Sequence, residues 1–338
     1  MIDFCYLVNP YFPPQKLIEE MEANFNRLVA QYPSGMEVNS ILAARNFGVR
    51  KENVITGNGA AELIRSFMEY LSGKTGFIRP TFEEYPNRYD MDESVFFAPQ
   101  NRDFSYTVSD LIEYFQDKDI DNLILVNPDN PSGNYLCKKD ILKLISWTSQ
   151  QKIRLVLDES FADFADEEDN TMIRQDILNK NQHLYIVKSI SKCYGVPGLR
   201  LGVLASGDIE LVQKMKKDVS IWNINSFAEF YMQIAEKYKA DYVSALKKLK
   251  EERNYFYHGL NQIPGIRPIL SQANYIMAEL VESVSAEMLT ENLLVKHNLF
   301  IKDLSSKIKT GQYVRIAIRD RGDNEKMLLA LKQELEQY

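Results

Sequence analysis

The sequence predicts an α/β protein, with a mostly parallel seven-stranded sheet in a large domain and a smaller α+β domain beside it. Short apolar runs of strand length recur at Val54–Thr56, Thr75–Ile78, Val95–Phe97, Leu123–Val126, Ile153–Leu157, Leu184–Val187 and Leu201–Ala205. Stretches with helical periodicity separate most of them, as in Ile141, Leu142, Leu144, Ile145 and Trp147. Strands alternating with helices make a parallel sheet covered on both faces. Beyond Ile221 the pattern changes to a long helical stretch from about Ser226 to Leu260, broken near Ile263-Pro264-Gly265. Strands at Tyr275–Leu280 and Val314–Ile318 and helices at Ala286–His297 and Asn324–Gln337 complete this second part.

Composition bounds the function. A chain of 338 residues buries a large core and normally divides in two. The net charge of −7 argues against general nucleic-acid binding. No apolar run approaches a membrane span, and the first residues lack the basic and apolar regions of a signal peptide. Cys5, Cys137 and Cys193 are an odd, scattered set, which fits a reducing cytoplasm and no disulfide framework. His183, His258 and His297 have no metal-ligand spacing, so no metal is expected.

Four segments carry chemistry. At Val54-Ile55-Thr56-Gly57-Asn58-Gly59 a strand runs through a glycine turn into a helix carrying Ala61, Leu63, Ile64, Phe67, Met68 and Leu71. Backbone N–H groups at such a helix start form an anion site. At Val126-Asn127-Pro128-Asp129-Asn130-Pro131-Ser132-Gly133 a buried strand ends in a polar turn, at the sheet edge where open α/β sheets bind ligands. At Ile153–Phe161 an apolar run ends in Asp158, a carboxylate that is costly to bury without a partner. A protonated pyridine nitrogen is a suitable partner. In Ser189-Ile190-Ser191-Lys192-Cys193-Tyr194-Gly195-Val196-Pro197-Gly198-Leu199-Arg200, a lysine sits between small hydroxyl residues, with an arginine eight positions on. Such a lysine can carry pyridoxal 5'-phosphate as a Schiff base, while Ser and Arg groups hold the cofactor phosphate. The Arg200 guanidinium offers a planar fork for bidentate phosphate binding.

In this order the four segments resemble the fold-type I pyridoxal-phosphate enzymes of the class I and II aminotransferase superfamily, and within it the histidinol-phosphate aminotransferases and threonine-phosphate decarboxylases. Asn9-Pro10-Tyr11-Phe12-Pro13-Pro14 is similar to their N-terminal segment, which closes over the substrate and makes Asn9 a substrate-binding candidate. Tyr32-Pro33 is similar to the segment whose tyrosine reaches the neighbouring subunit's cofactor phosphate. Pro80-Thr81-Phe82-Glu83-Glu84-Tyr85 resembles the segment whose aromatic stacks on the pyridine ring, here Phe82. The resemblance implies that Lys192 and Asp158 are catalytic and that Asn130 contacts the ring oxygen. It implies that Ser189, Ser191 and Arg200 hold the phosphate with Gly59, Ala60 and Ala61. Val314-Arg315-Ile316-Ala317-Ile318-Arg319 resembles the late strand whose first arginine clamps the substrate carboxylate, here Arg315. It also implies a homodimer with shared sites, with residues 40–222 as the cofactor domain and residues 1–39 plus 223–338 as the small domain.

One departure bears on the reaction. Most aminotransferases of this group carry Tyr three residues after the ring-nitrogen Asp; here Phe161 stands there. That version is more similar to the threonine-phosphate decarboxylase branch. The leading expectation is an aminotransferase taking a small amino donor and a 2-oxo acid acceptor, with a substrate that can bear a phosphate or phosphonate. The alternative is a decarboxylase of a phosphorylated amino acid using the same site. Lys302, Lys307, Lys309, Arg319 and Arg321 could serve a second anionic group or simply form a solvated charged surface. A third reading, a cofactor-sensing regulator with a fused DNA-binding head, is disfavoured because the chain reaches Asn9-Pro10 almost at once.

Overall fold

A computed structural model describes residues 1–281 and 284–336. The chain enters through β1 (Ile2–Asp3) and the helices α1 (Gln15–Ala23), α2 (Phe25–Ala30) and α3 (Met36–Phe47), then β2 (Val54–Asn58) and α4 (Gly59–Met68). Next come β3 (Thr75–Ile78), β4 (Ser94–Phe97), α5 (Val108–Phe115), β5 (Asn122–Val126), α6 (Lys138–Gln150) and β6 (Arg154–Asp158). The short α7 (Gln175–Leu178), β7 (Leu184–Ser189), α8 (Ile190–Cys193), β8 (Leu201–Ser206) and α9 (Ile209–Asp218) finish this part. The seven strands lie in the order β2-β8-β7-β6-β5-β3-β4. Only β8 runs against its neighbours β2 and β7, so the sheet is mostly parallel as the sequence predicts.

The strands are apolar throughout because the sheet is covered on both faces. Ile55, Ile124, Val156, Val187 and Leu204 face one core with Leu63, Ile64 and Phe67 of α4. Leu123, Leu125, Leu155, Leu157, Ile186 and Val203 face the other, with Leu144 and Ile145 of α6. This alternation within continuous apolar runs is what a doubly covered sheet requires.

The helical stretch from Ser226 to Leu260 divides into α10 (Ser226–Ile234) and α11 (Lys239–Leu260), with a tight turn at Ala235–Tyr238 between them. Then follow β9 (Ile266–Pro268), β10 (Tyr275–Leu280), α12 (Ala286–His297), β11 (Leu299–Phe300), β12 (Lys302–Asp303), β13 (Gln312–Ala317) and α13 (Arg321–Leu335). Strands β12-β13-β10-β9 form an antiparallel sheet. The last helix begins at Arg321, where Asp320 accepts from the Asp323 N–H as N-cap, three residues before the expected Asn324; its expected end at Gln337 lies outside the described residues.

The chain start joins this second sheet's neighbourhood. β1 pairs in parallel with β11, and Phe4 is in the same core as Leu249, Tyr275, Ile316 and Leu331. No helix among the described residues is long and apolar enough to cross a membrane.

Candidate active site

The carboxyl ends of β5, β6 and β7 bring three of the four segments together. Asp158 ends β6, hydrogen-bonded in register between Val126 of β5 and Val187 of β7. It is 3% exposed, and no cation lies within ion-pair distance among the described residues. Its Oδ1 accepts from the Ser160 N–H at 2.8 Å and its Oδ2 from the Tyr85 hydroxyl at 2.9 Å. Two donors fix the carboxylate's orientation without neutralising its charge.

Lys192 lies on α8, one turn beyond the end of β7. Its Nζ sits 3.8 Å from the Phe161 ring centroid and 5.5 Å from that of Phe82. Burial pushes the amine down to about 8; the Asp158 carboxylate opposes the shift, and the Arg315 cation adds to it. A lysine lowered this far is about half neutral at pH 8, against well under 1% for an exposed one.

The N-terminal segment is locked onto this loop. The Asn9 N–H donates to the Lys192 carbonyl at 2.9 Å, and its side-chain amide donates to the Cys193 carbonyl at 3.0 Å. Asn9 Oδ1 accepts from the Tyr11 N–H. The Asn9 side chain is thus spent on holding backbone. Gly195, at φ +61°, lets Phe12 approach: a Cβ there would stand 1.7 Å from the Phe12 carbonyl oxygen.

Gly59, Ala60 and Ala61 open α4, whose N-terminus has no side-chain cap. Gly59 adopts φ +74°, and a Cβ on it would lie 2.5 Å from Arg200 Nη2. The Arg200 carbonyl accepts from the Gly59 N–H at 2.8 Å, and its guanidinium has no carboxylate partner among the described residues. The buried Ser191 hydroxyl has no partner. The Ser189 N–H donates to Ser160 Oγ, tying the Lys192 strand to the Asp158 strand.

Arg315 reaches in from β13. Its Nη1 donates to Asn130 Oδ1 at 2.7 Å, and its buried Nε has no partner. It makes no ion pair among the described residues. Lys302 stands directly opposite it in the β12–β13 register. Lys307 donates to the Thr81 carbonyl at 2.8 Å and is 3.8 Å from Glu83.

Of the residues predicted from sequence, the fold gathers Lys192, Asp158, Phe82, Asn130, Ser189, Ser191, Gly59, Arg200 and Arg315 around these strand ends. Tyr32 stands apart, 78% exposed and stacked on Trp222 at 4.2 Å. Tyr85 was not among the predicted site residues. Its place three residues after Phe82 was visible, but nothing local in sequence says that its hydroxyl reaches Asp158 from 73 positions away.

These features fit pyridoxal 5'-phosphate. Asp158 is a buried carboxylate with no ion-pair partner among the described residues, suited to a protonated ring nitrogen. Ser191 Oγ, Arg200 and the open start of α4 are unspent donors suited to a phosphate. Lys192 is an amine with a lowered pKa between them.

Comparison with known proteins agrees. The sequence model of a family described as aminotransferase class I and II matches residues 1–331. The chain is 30% identical over 339 residues to a CMP-5'-(3-aminopropyl)phosphonate synthase of Streptomyces rubellomurinus, covering 97% of this chain and 52% of that protein. It therefore spans about half the length of that relative. It is 29% identical to an L-serine phosphate decarboxylase of Sulfurospirillum multivorans, covering 98% of this chain and 87% of the relative. The structure of a histidinol-phosphate aminotransferase from Clostridium acetobutylicum superposes with a TM-score of 0.87 at 26% identity, covering 100% of both chains.

Proposed function

The chain belongs to the class I and II aminotransferases, and we propose that it acts on an α-amino acid bearing a phosphate or phosphonate group and, contrary to the leading expectation from sequence, that it decarboxylates it. Its cofactor is pyridoxal 5'-phosphate. The observation carrying the substrate class is the cationic set Arg315, Lys302 and Lys307. Like charges directly opposite on paired strands repel, yet Lys302 faces Arg315 with no carboxylate between them. Burial, followed by Arg315 and Lys302 as further causes, lowers the Lys307 amine, while Glu83 opposes the shift. Glu83, 3.8 Å from Lys307, offsets part of that charge. In this reading a substrate α-carboxylate pairs with Arg315, and the phosphate or phosphonate with Lys302 and Lys307.

Two observations favour decarboxylation. Phe161, not a tyrosine, faces Lys192, and a relative similar over 98% of this chain is an L-serine phosphate decarboxylase. Transamination of the same substrate class is the second reading, favoured by the likeness to a histidinol-phosphate aminotransferase along the whole chain.

When bound, the cofactor supplies an electron-withdrawing ring that stabilises the electron pair released at the substrate α-carbon. In this reading the side chains divide the remaining work. Asp158, aimed by Tyr85 and Ser160, holds a proton on the ring nitrogen. Phe82 and Phe161 shield the Lys192 amine from water, which keeps its pKa low. Lys192 is then placed to deliver a proton to the α-carbon after carbon dioxide leaves, or in transamination to remove one. Ser189, Ser191, Arg200 and the first turn of α4 would anchor the phosphate, and Asn130 would contact the ring oxygen. Arg315 orients the α-carboxylate, with Asn130 holding the guanidinium in place.

The working unit in this reading is a homodimer. Tyr32, Trp222, Ile221, Phe25 and Val29 form an exposed apolar face of the kind that marks an interface. Tyr32 then serves the neighbouring subunit's phosphate site.

The test uses the holoenzyme with O-phospho-L-serine, O-phospho-L-threonine and their unphosphorylated parents. Carbon dioxide release from the phosphorylated compounds, at least tenfold faster than from the parents, is the expected result. Equal rates with the parents overturn the substrate class. Conversion of the cofactor to its pyridoxamine form without carbon dioxide replaces decarboxylation by transamination.

A further inference from the structure

The helix that carries Lys192 cannot hold itself. An α-helix leaves its last four carbonyls without partners in its own ladder, and α8 has only four residues, Ile190–Cys193. A single turn is also too short to be stable alone. Its place is therefore set by the chain around it. At its start the Ser189 N–H donates to Ser160 Oγ at 3.0 Å, two residues from Asp158. At its end the Val196 N–H donates to the Ser191 carbonyl at 3.1 Å, and the Gly195 N–H to the Lys192 carbonyl at 3.2 Å.

The remaining hold comes from 184 residues away. Asn9 is 1% exposed. Its N–H donates to the Lys192 carbonyl at 2.9 Å, and its side-chain amide to the buried Cys193 carbonyl at 3.0 Å. Its Oδ1 accepts from the Tyr11 N–H at 3.0 Å, which fixes the direction of the amide. The segment bearing Asn9 has an anchor of its own. Phe4, fully buried, donates its N–H to the Phe300 carbonyl at 2.7 Å, and its carbonyl accepts from the Ala317 N–H at 2.9 Å. The chain from Phe4 to Asn9 thus ties α8 to β13, the strand that carries Arg315.

We propose that Asn9 is a positioning residue, which caps the Lys192 helix from the N-terminal segment and so holds the Lys192 amine against Phe161 and Phe82. It acts through the backbone carbonyls of Lys192 and Cys193. This differs from the substrate contact expected from sequence, because the donor and the acceptor atoms of its amide are both engaged within the protein. The inference rests on Lys192 as the cofactor lysine and not on which reaction follows. Without the amide the buried Cys193 carbonyl is left unpaired, which is unfavourable. The end of α8 then moves towards water and carries the amine out from between the rings. Burial is the first cause of the low amine pKa, so exposure returns it towards the ordinary, higher value.

The test measures the rate of pyridoxal 5'-phosphate capture against pH, by absorbance, in the cofactor-free full chain. The native chain is compared with Asn9→Ala and Asn9→Leu. Asn9→Leu keeps most of the side-chain volume, so a shift there reports the lost hydrogen bonds and not a void. Both variants keep the Phe4 anchor and the backbone bond to Lys192. The native midpoint should lie at about 8. In both variants it should rise by about one pH unit, making capture at pH 8 about fivefold slower. Loading to one cofactor per chain at high pH reports that each variant is folded. A midpoint unchanged in variants that load fully overturns the role of Asn9. A native midpoint near that of an exposed lysine overturns it too, and also faults the burial of Lys192; the two failures are told apart by the native profile alone. If Asn9→Ala does not load, Asn9→Leu decides.

Discussion

Asp158 has both oxygens engaged by neutral donors and makes no ion pair among the described residues, so its substitution separates orientation from charge. Asp158→Asn keeps the shape and loses the charge; turnover should fall by about 10² or more while cooperative unfolding is retained. Tyr85→Phe keeps the charge and frees Oδ2, and should cost roughly tenfold. If Asp158→Asn turns over like the native enzyme, the carboxylate does not serve the ring nitrogen. Lys192 gives a pH test with a definite sign. Only a neutral amine attacks an aldehyde, and this amine titrates at about 8. Uptake of pyridoxal 5'-phosphate by cofactor-free protein should therefore accelerate as pH rises through about 8 and level off above it. A midpoint near that of an ordinary lysine, about 10.4, would mean the amine is not buried. If Phe161, whose ring lies 3.8 Å from Lys192 Nζ, faces the cofactor's ring oxygen, Phe161→Tyr should shift the visible absorbance transition of the bound cofactor to lower pH; an unchanged transition removes Phe161 from that position. That Lys192, Asp158, Asn130 and Arg315 meet near the strand ends was expected from local patterns of hydroxyls and turns together with the family resemblance. Tyr85 was not, because its partner comes from another strand, and the Asn9 side chain proves to hold backbone at Cys193 and Tyr11.

The seven strands of the large sheet were legible as elements because continuous apolar runs between helical segments have few other readings. Their ends were shifted by one or two residues: β5, β6 and β7 extend to or from Asn122, Asp158 and Ser189, polar residues that the sheet's hydrogen bonds capture. The strands β1, β9 and β11, of two or three residues each, carry too little periodicity to be seen. The break between α10 and α11 was also missed, because Ala235–Tyr238 remains helical in character and only tightens its winding. At this scale the glycine turn before α4 makes a prediction. Gly59→Ala would set a methyl group 2.5 Å from Arg200 Nη2 at φ +74°. The strain is about 1–2 kcal/mol, and the displaced guanidinium loosens the phosphate cradle. The cofactor dissociation constant should rise about tenfold or more, with the large sheet intact by circular dichroism. An unchanged constant would mean that Arg200 and the start of α4 do not share the phosphate.

Across the whole molecule, the fold class and the layered sheet were legible, while the relation between subunits rests on one exposed tyrosine. Tyr32 stacks on Trp222 away from its own chain's Lys192 site. If Tyr32 serves the partner, mixing Tyr32→Ala chains with Lys192→Ala chains should restore activity that neither variant has alone. Each hybrid would then hold one site with both lesions and one with neither. No recovery on mixing would place Tyr32 outside the shared site. The account as a whole stands on Lys192 as the residue that carries the cofactor. Lys188, four residues earlier, is the informative control: it is 3% exposed and already paired with Asp163. Borohydride reduction of the yellow holoenzyme, followed by digestion and mass spectrometry, reads the attachment point directly. The adduct is predicted on the peptide bearing Lys192 and at that lysine. Its appearance on Lys188 or on any other lysine, or no adduct after saturation with pyridoxal 5'-phosphate, would contradict the account.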